Sequence, residues 1–340
     1  MLGTLIPDIF DQIIVHFELE DFYPIRLTSR RLERLSVRAF GAAAFSNLTV
    51  DFSADNLRLI RNVANHDEFR LVVHSLRVGE WEGKITKTKY SYQNSYGFNG
   101  HWPRLEDGRV DRECELVRQF VDSLSRLSNC TSVTFIGGRP LMGKPPYKGP
   151  EQNLSSVDAL DLVLHALSVP GAPFLRYFQA SIGRGLDWYP RGRITRAAVA
   201  AVENLLAGHL EEITLELDGS DGECAANLLR LATASRHLRK LRLWLCGGGG
   251  LATESRLTQH LDSVPRFTPA LDTLRIRSPD DERGQSTSAL VQIGRHANQA
   301  GPLSEALRRI LDNRPRAPPS RPFPESPAVH DAYMQRRPRR

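Results

Sequence analysis

The chain lacks the features of a membrane, secreted or metal-binding protein. Its 340 residues contain no apolar run close to the roughly 18 residues that a membrane span needs. The N-terminus has no cationic region and carries acid at Asp8 and Asp11, so we expect no secretory signal. The four cysteines are far apart and lack disulfide or zinc spacing, which favours a reducing compartment, the cytoplasm or the nucleus or both. They are Cys114, Cys130, Cys224 and Cys246.

Signatures of catalysis are also missing from the sequence. There is no glycine-x-serine-x-glycine motif, no cysteine pair two residues apart, and no histidine pair at helical spacing beside a glutamate. Residues 138–144 match the first part of a phosphate-binding loop, but Pro145 and Pro146 stand where a hydroxyl and a helix must follow. We therefore predict no catalytic residue, no metal and no cofactor, and a protein that is not an enzyme.

Positive charge is concentrated at the C-terminal end. Residues 313–340 hold seven arginines against Glu325 and Asp331, which accounts for +5 of the net charge of +6. The same segment has seven prolines and little aliphatic material, so residues 312–340 are predicted to form a disordered tail. Its final arginines can serve as a nuclear signal or a polyanion contact, or can simply be solvated.

Residues 1–40 show the pattern of three short helices. In the first, Pro7 suits the opening turn and apolar residues recur every three or four positions. A second element is predicted over 22–27, with Pro24 tolerable only near its start, and Thr28 or Ser29 can cap a third helix. So small a unit needs a partner or an adjoining domain, and its first helix has apolar surface to spare. Periodicity alone leaves open a docking module or an N-terminal cap on a larger fold.

These residues resemble an F-box, especially in its filamentous-fungal form. Residues 5–14 (LIPDIFDQII) are similar to its opening, 19–22 (LEDF) to its middle, and 25–32 (IRLTSRRL) to the entry into its last helix. The resemblance implies a three-helix module over 1–40 that binds the Skp-type adaptor of a cullin–RING ubiquitin ligase. The residues it implies for adaptor contact or for the module's own core are Ile6, Pro7, Ile9, Ile13, Ile14, Phe22 and Leu27.

A ragged repeat follows. Seven copies of an apolar-x-x-apolar-x-apolar pattern begin at residues 45, 73, 130, 175, 210, 238 and 271. Each copy predicts a strand with one buried face, and helical patterns lie between the copies at 55–64, 115–125, 156–167, 196–207, 224–234 and 253–261. The shorter intervals suit a leucine-rich repeat of about 20–29 residues, and the longer ones require insertions. We predict an irregular leucine-rich-repeat-like α/β solenoid over 41–311; a plain α/β sandwich is the alternative.

Two insertions interrupt this repeat, at 80–112 and 137–153. The first mixes lysines with aromatic residues, a composition that suits a protein-binding loop, a nucleic-acid contact or an uncommitted mobile loop. The near-neutral charge outside the tail disfavours nucleic acid. The target-binding candidates are Tyr90, Tyr92, Tyr96 and Trp102.

Taken with the F-box resemblance, this organisation predicts a substrate-recognition adaptor of an SCF-type ubiquitin ligase. Its expected partners are the Skp-type adaptor, the cullin scaffold and an unidentified protein target. No association with a membrane is expected. The alternatives are a stand-alone protein-interaction scaffold and, with less support, a nucleic-acid-binding protein that uses residues 80–112 and the tail.

Overall fold

The computed structural model describes residues 7–79, 102–137, 156–181, 208–218, 222–246, 271–277 and 289–292, with Leu154 and Val199 as single positions. Within these ranges the chain forms an α/β structure with eight helices and eight strands. The helices are α1 (Pro7–Ile14), α2 (Leu19–Thr28), α3 (Arg30–Phe45), α4 (Ala54–Asn65), α5 (Phe69–Val72), α6 (Glu115–Arg126), α7 (Ser156–Ser168) and α8 (Gly222–Ala234). The strands are β1 (Asn47–Val50), β2 (Ser75–Gly79), β3 (Ser132–Ile136), β4 (Tyr177–Ser181), β5 (Glu212–Asp218), β6 (Lys240–Cys246), β7 (Thr273–Arg277) and β8 (Ala289–Gln292).

The eight strands form one sheet whose spatial order is the order of the chain, β1 to β8. Strands β1 to β7 are parallel, and β8 pairs with β7 in the antiparallel sense. Each connection therefore joins a strand to its immediate neighbour, and the chain always advances in the same direction across the sheet. Since such crossovers are almost always right-handed, the described crossover helices α4, α6, α7 and α8 lie on one face of the sheet, where they share its core.

The buried apolar residues of β1 to β7 face these helices. The register aligns one buried row across β1 to β7: Leu48, Leu76, Val133, Phe178, Ile213, Leu241 and Leu274. A second buried row is aligned two residues further on in β1 to β6: Val50, Val78, Phe135, Ala180, Leu215 and Leu243. Helices α4, α6 and α7 pack side by side as a layer, and their apolar stripes join these rows in one core.

These observations confirm the predicted α/β class and all seven predicted strands. The helices predicted at 55–64, 115–125, 156–167 and 224–234 are also present, with ends that differ by at most two residues. Those predicted at 196–207 and 253–261 lie outside the described residues except for Val199, as does the tail at 312–340. Strand β8 was not predicted, because its four residues, ALVQ, carry too short a pattern.

The three N-terminal helices are present, but the second is longer than predicted. It begins at Leu19, so Pro24 lies inside it and removes one helical hydrogen-bond donor. The earlier start has a local cause: the backbone N–H of Glu18 donates to Asp21 Oδ2 at 2.9 Å, which caps the first turn. The third helix is capped as predicted, because Ser29 Oγ accepts from the Leu32 N–H at 3.2 Å.

An aromatic joint connects these three helices to the rest of the chain. The helices close their own small core around Phe10, Ile14, Phe22 and Leu32. From this core, Phe40 makes edge-to-face contacts with Phe45 and Phe69, at centroid distances of 5.9 and 6.0 Å. Phe69 is held on its other side by the ring of His66, stacked at 3.8 Å. We call Phe40, Phe45, Phe69 and His66 the aromatic joint.

Gly41 lets the aromatic joint close. A Cβ atom at this position would lie 2.7 Å from Phe69 Cδ1 and 3.4 Å from Val72 Cγ2. Because Phe69 is held between three other rings, it cannot move aside at little cost. Glycine is therefore required here by the close approach of α3 and α5.

We predict that Gly41→Val lowers the free energy of unfolding by about 1–3 kcal/mol, the usual cost of overpacking. The matched control is Gly208→Val, because a Cβ at Gly208 would meet nothing within 4 Å. Its effect should stay within about 0.5 kcal/mol. Urea denaturation followed by circular dichroism measures both. A Gly41→Val protein as stable as the unsubstituted chain would show that the joint is not closely packed.

Candidate functional site

The face of the sheet opposite the helices carries polar side chains. Its central row is aligned by the strand register and consists of Thr49, Arg77, Thr134, Gln179, Thr214, Arg242 and Arg275. Because side chains alternate along a strand, this row follows from the burial of the apolar rows on the other face. We call the outward side chains of β1 to β7 the open sheet face.

Hydrogen bonds between side chains order the part of this face near β4. The Tyr177 hydroxyl donates to Gln179 Oε1 at 2.6 Å, and the Ser181 hydroxyl donates to Glu216 Oε2 on the next strand. The first contact joins two outward positions of β4, and the second joins outward positions of the neighbouring strands β4 and β5. These hydrogen bonds orient the four polar side chains on the open sheet face.

Charge is unevenly distributed over β5, β6 and β7. Glu212 on β5 contacts two cations on β6, Lys240 at 3.6 Å and Arg242 at 3.0 Å. One carboxylate therefore serves two positive groups. Arg275, paired with Arg242 in the register, makes no ion pair among the described residues. With Glu216, the other described outward acid of β5, two carboxylates face the three cations Lys240, Arg242 and Arg275, which leaves one positive charge in excess among the described side chains.

Two further side chains mark the same region. Trp244, two residues beyond Arg242 on the same side of β6, is 42% exposed. Thr214, paired with Arg242 in the register of β5 and β6, is only 7% exposed, and its Oγ1 has no hydrogen-bond partner. An exposed tryptophan and an unsatisfied buried hydroxyl beside surface arginines are features of a contact surface.

A small cleft lies at the edge where β4, β5 and β6 begin. It has a volume of about 320 Å³ and is lined by residues of three successive connections, among them Arg176, Glu211, His237 and Arg239. Arg176 and Glu211 form an ion pair at 3.6 Å, and Arg176 remains 71% exposed. The cleft is therefore a shallow, partly neutralised surface depression.

The N-terminal helices present a second, apolar surface. Four large apolar residues of this region are exposed although the module core is closed: Ile9 (44%), Val15 (73%), Tyr23 (53%) and Leu27 (87%). Tyr23 and Leu27 are one helical turn apart on α2 and so lie on the same side of that helix. We call these four residues the exposed apolar set.

The structure separates the residues that the F-box resemblance implied. Ile9 and Leu27 belong to the exposed apolar set, whereas Ile14 and Phe22 are at most 3% exposed and form the module core. Ile13 is partly buried. Ile6 and the side chain of Pro7 lie outside what the structure describes. The side of α1 or α2 on which each residue lies therefore decides whether it is exposed or part of the module core.

Of the predicted target-binding residues, Trp102 occupies a different environment from the one expected. It is 1% exposed and meets Phe52 edge to face at 5.7 Å, so it is part of the core and not a surface contact. The prediction of a surface contact was therefore wrong for Trp102. Its burial depends on Phe52, which is distant in sequence, so the composition of the loop does not reveal it. Tyr90, Tyr92 and Tyr96 lie outside the described residues, as does nearly all of 137–153.

The segment that follows Trp102 is attached to α7 by two ion pairs. Arg104 Nη2 contacts the buried Asp158 at 2.9 Å, and Arg112 Nη2 contacts Asp161 at 2.7 Å. The two carboxylates are three residues apart and share one side of the helix. The end of the predicted insertion at 80–112 is therefore packed onto the body.

Cys130 lies in an environment that disfavours a reactive thiol. It is fully buried in the core, and desolvation raises its pKa to about 11 from 9.0. Among the residues that the structure describes, no group of three or more histidine, cysteine or acidic side chains is placed to hold a metal ion. None of the described helices is long and apolar enough to cross a membrane.

Trp244, Arg242 and Arg275 were not identified from the sequence. They occupy the variable positions of the repeat, between the apolar residues that define it. Their only sequence signal is that position, which indicates the solvent side of each strand.

A comparison with protein-family models finds no family that matches the chain, and a comparison with curated proteins finds no match either.

We predict that Cys130 resists alkylation in the folded protein. Iodoacetamide at pH 8 should modify Cys114, which is partly exposed, at least about 100-fold faster than Cys130, since burial blocks access and the raised pKa suppresses the thiolate. Peptide mass spectrometry measures each site, and denaturant should equalise the two rates. Equal rates without denaturant would contradict the burial of Cys130. Above pH 9.0 the stabilising contribution of the neutral thiol should fall, and it should be lost as the pH passes about 11.

Proposed function

We propose that the protein is the substrate-recognition adaptor of an SCF-type cullin–RING ubiquitin ligase, with helices α1 to α3 acting as an F-box. The observation that carries this proposal is the exposed apolar set. A module whose own core is closed still leaves Ile9 and Leu27 in solvent, on the two helices that resemble the adaptor-binding segment of an F-box. Apolar side chains left exposed in this way favour burial against a partner.

We further propose that the sheet is a leucine-rich-repeat-like solenoid. Three features support this proposal: strand order equal to chain order, a single described helix layer, and an apolar pattern that recurs in register on seven strands. In such a scaffold each unit packs on its neighbours, and the face without helices is available for recognition.

The proposed mechanism is bridging. The F-box holds the ligase scaffold, the open sheet face holds a target, and the aromatic joint keeps the two surfaces in a fixed relation. A bound target then experiences a raised effective concentration of the ubiquitin-loaded enzyme. No bond chemistry is assigned to this chain's own residues.

The double substitution Ile9→Asp with Leu27→Asp tests the proposal. Both side chains are exposed, so the variant should fold, whereas a buried charge at the interface should reduce binding by at least about 100-fold. The measurement is co-purification of the full chain with a recombinant Skp-type adaptor. The control is Leu71→Asp with Leu105→Asp, two exposed leucines of the body, which should leave co-purification unchanged.

Two outcomes would count against the ligase adaptor. If the unsubstituted chain does not retain the Skp-type adaptor, a stand-alone interaction scaffold becomes the better account. If it does retain the adaptor and the Ile9→Asp with Leu27→Asp variant retains it equally well, the exposed apolar set is not the docking surface.

A further inference from the structure

We propose that the open sheet face at β5, β6 and β7 binds an acidic, extended peptide segment. As the target segment of a ligase adaptor this inference rests on the proposed function, but the binding site itself is argued from the side chains on these three strands. We call Thr214, Arg242, Trp244 and Arg275 the acidic-peptide site.

Positive charge is concentrated where β6 and β7 pair. Arg242 and Arg275 are paired in the register, so their strands are about 4.8 Å apart and both side chains leave the same face. Arg242 shares Glu212 with Lys240, and Arg275 makes no ion pair among the described residues. Because Glu212 contacts Arg242 and Lys240 and leaves Arg275 without an ion pair among the described residues, the two neighbouring guanidinium groups favour a ligand that supplies a further carboxylate.

An exposed indole ring lies beside these arginines. Trp244 is two residues from Arg242, which is about 7 Å along the strand, and it is 42% exposed. Tryptophan and arginine are the residue types that most often carry binding energy at interfaces. A peptide side chain next to the acidic one can therefore pack on the indole ring, which makes the site selective for a peptide over a free anion.

The hydroxyl of Thr214 can donate a hydrogen bond to a ligand at the same position. This side chain lies opposite Arg242 in the register, is more than nine-tenths buried, and has no hydrogen-bond partner for Oγ1. A buried hydroxyl without a hydrogen-bond partner destabilises the protein, because it has lost its bonds to water without replacing them. A ligand oxygen that accepts from this hydroxyl while it contacts Arg242 removes that destabilisation, so the site is suited to an oxygen-bearing group.

The distribution of acidic residues favours a peptide over a nucleic acid. Glu212 and Glu216 both point outward on β5, next to the arginines. A nucleic acid carries a negative charge at every nucleotide and so meets both carboxylates, whereas a peptide can place its acidic side chain on the arginines and neutral residues beside the carboxylates. Arg77, another cation of the central row, is five strands from Arg275, or roughly 24 Å. The cations therefore form a local cluster and not a continuous track for a phosphate backbone.

The test uses the purified full chain and fluorescein-labelled ten-residue probes, measured by fluorescence anisotropy. The probes are a peptide of alternating glutamate and leucine, the same peptide with glutamine for glutamate, and a single-stranded ten-nucleotide thymidine oligomer. The acidic peptide should bind at least about tenfold more tightly than the glutamine peptide, because only carboxylates pair with the arginines.

Charge reversal then locates the site. Arg275→Glu should weaken binding of the acidic peptide by at least about tenfold, and Trp244→Ala should weaken it by a similar factor. The matched control is Arg118→Glu on α6, where an arginine of 61% exposure lies on the helical side, and its effect should stay within about twofold. Should Arg275→Glu fail to fold by circular dichroism, Arg275→Gln replaces it, with the same direction expected.

Equal affinity for the acidic and glutamine peptides would overturn the inference. So would unchanged binding in Arg275→Glu or Arg275→Gln, or tighter binding of the oligonucleotide than of the acidic peptide. Because these measurements contain no Skp-type adaptor, the inference and the proposed function fail separately. Peptide binding without adaptor retention refutes the ligase role alone, and adaptor retention without peptide binding refutes the acidic-peptide site alone.

Discussion

The in-register burial of two apolar rows is the constraint on which the rest of this structure depends. Seven parallel strands place their apolar residues against one helix layer, and the core is continuous from β1 to β7. Because the side-chain period of a strand is two, a slip of one residue in β6 would turn Arg242 into the core and expose Leu243. The free-energy cost of such a slip fixes which side chains lie on the open sheet face, among them those of the proposed acidic-peptide site.

A second packing contact determines how the N-terminal helices are held. Their core of four residues is too small to be stable in isolation, and the aromatic joint adds contacts to Phe45 and Phe69 at the edge of the large core. Gly41 permits that approach. The joint therefore stabilises the small module and also orients it. Of the exposed apolar set, Tyr23 meets Phe40 of the joint edge to face at 6.1 Å, whereas Ile9, Val15 and Leu27 belong to neither core. This arrangement suits the proposed bridging role, in which the exposed apolar set binds the ligase scaffold and the open sheet face binds the target.

Much of the fold could be predicted from the sequence because its signals are local. The strand pattern repeats within six residues, as in Leu238 to Leu243, and Ser29 marks the start of a helix with its own side chain. What could not be predicted depends on contacts between distant residues. Trp102 is buried because Phe52 lies beside it, and β8 exists because β7 offers an edge to pair with. The division of the F-box-like residues into core (Ile14, Phe22) and surface (Ile9, Leu27) likewise needed the helix orientations.

The central claim is that docking to a Skp-type adaptor and recognition of a target use two separate surfaces of one body. Hydrogen–deuterium exchange of the full chain, with and without a purified Skp-type adaptor, tests it most directly. The account predicts slowed exchange confined to α1 and α2, Pro7–Ile14 and Leu19–Thr28, with exchange in β4 and β6 unchanged. Slowed exchange in β4 and β6, or no change anywhere in the first two helices, would contradict it.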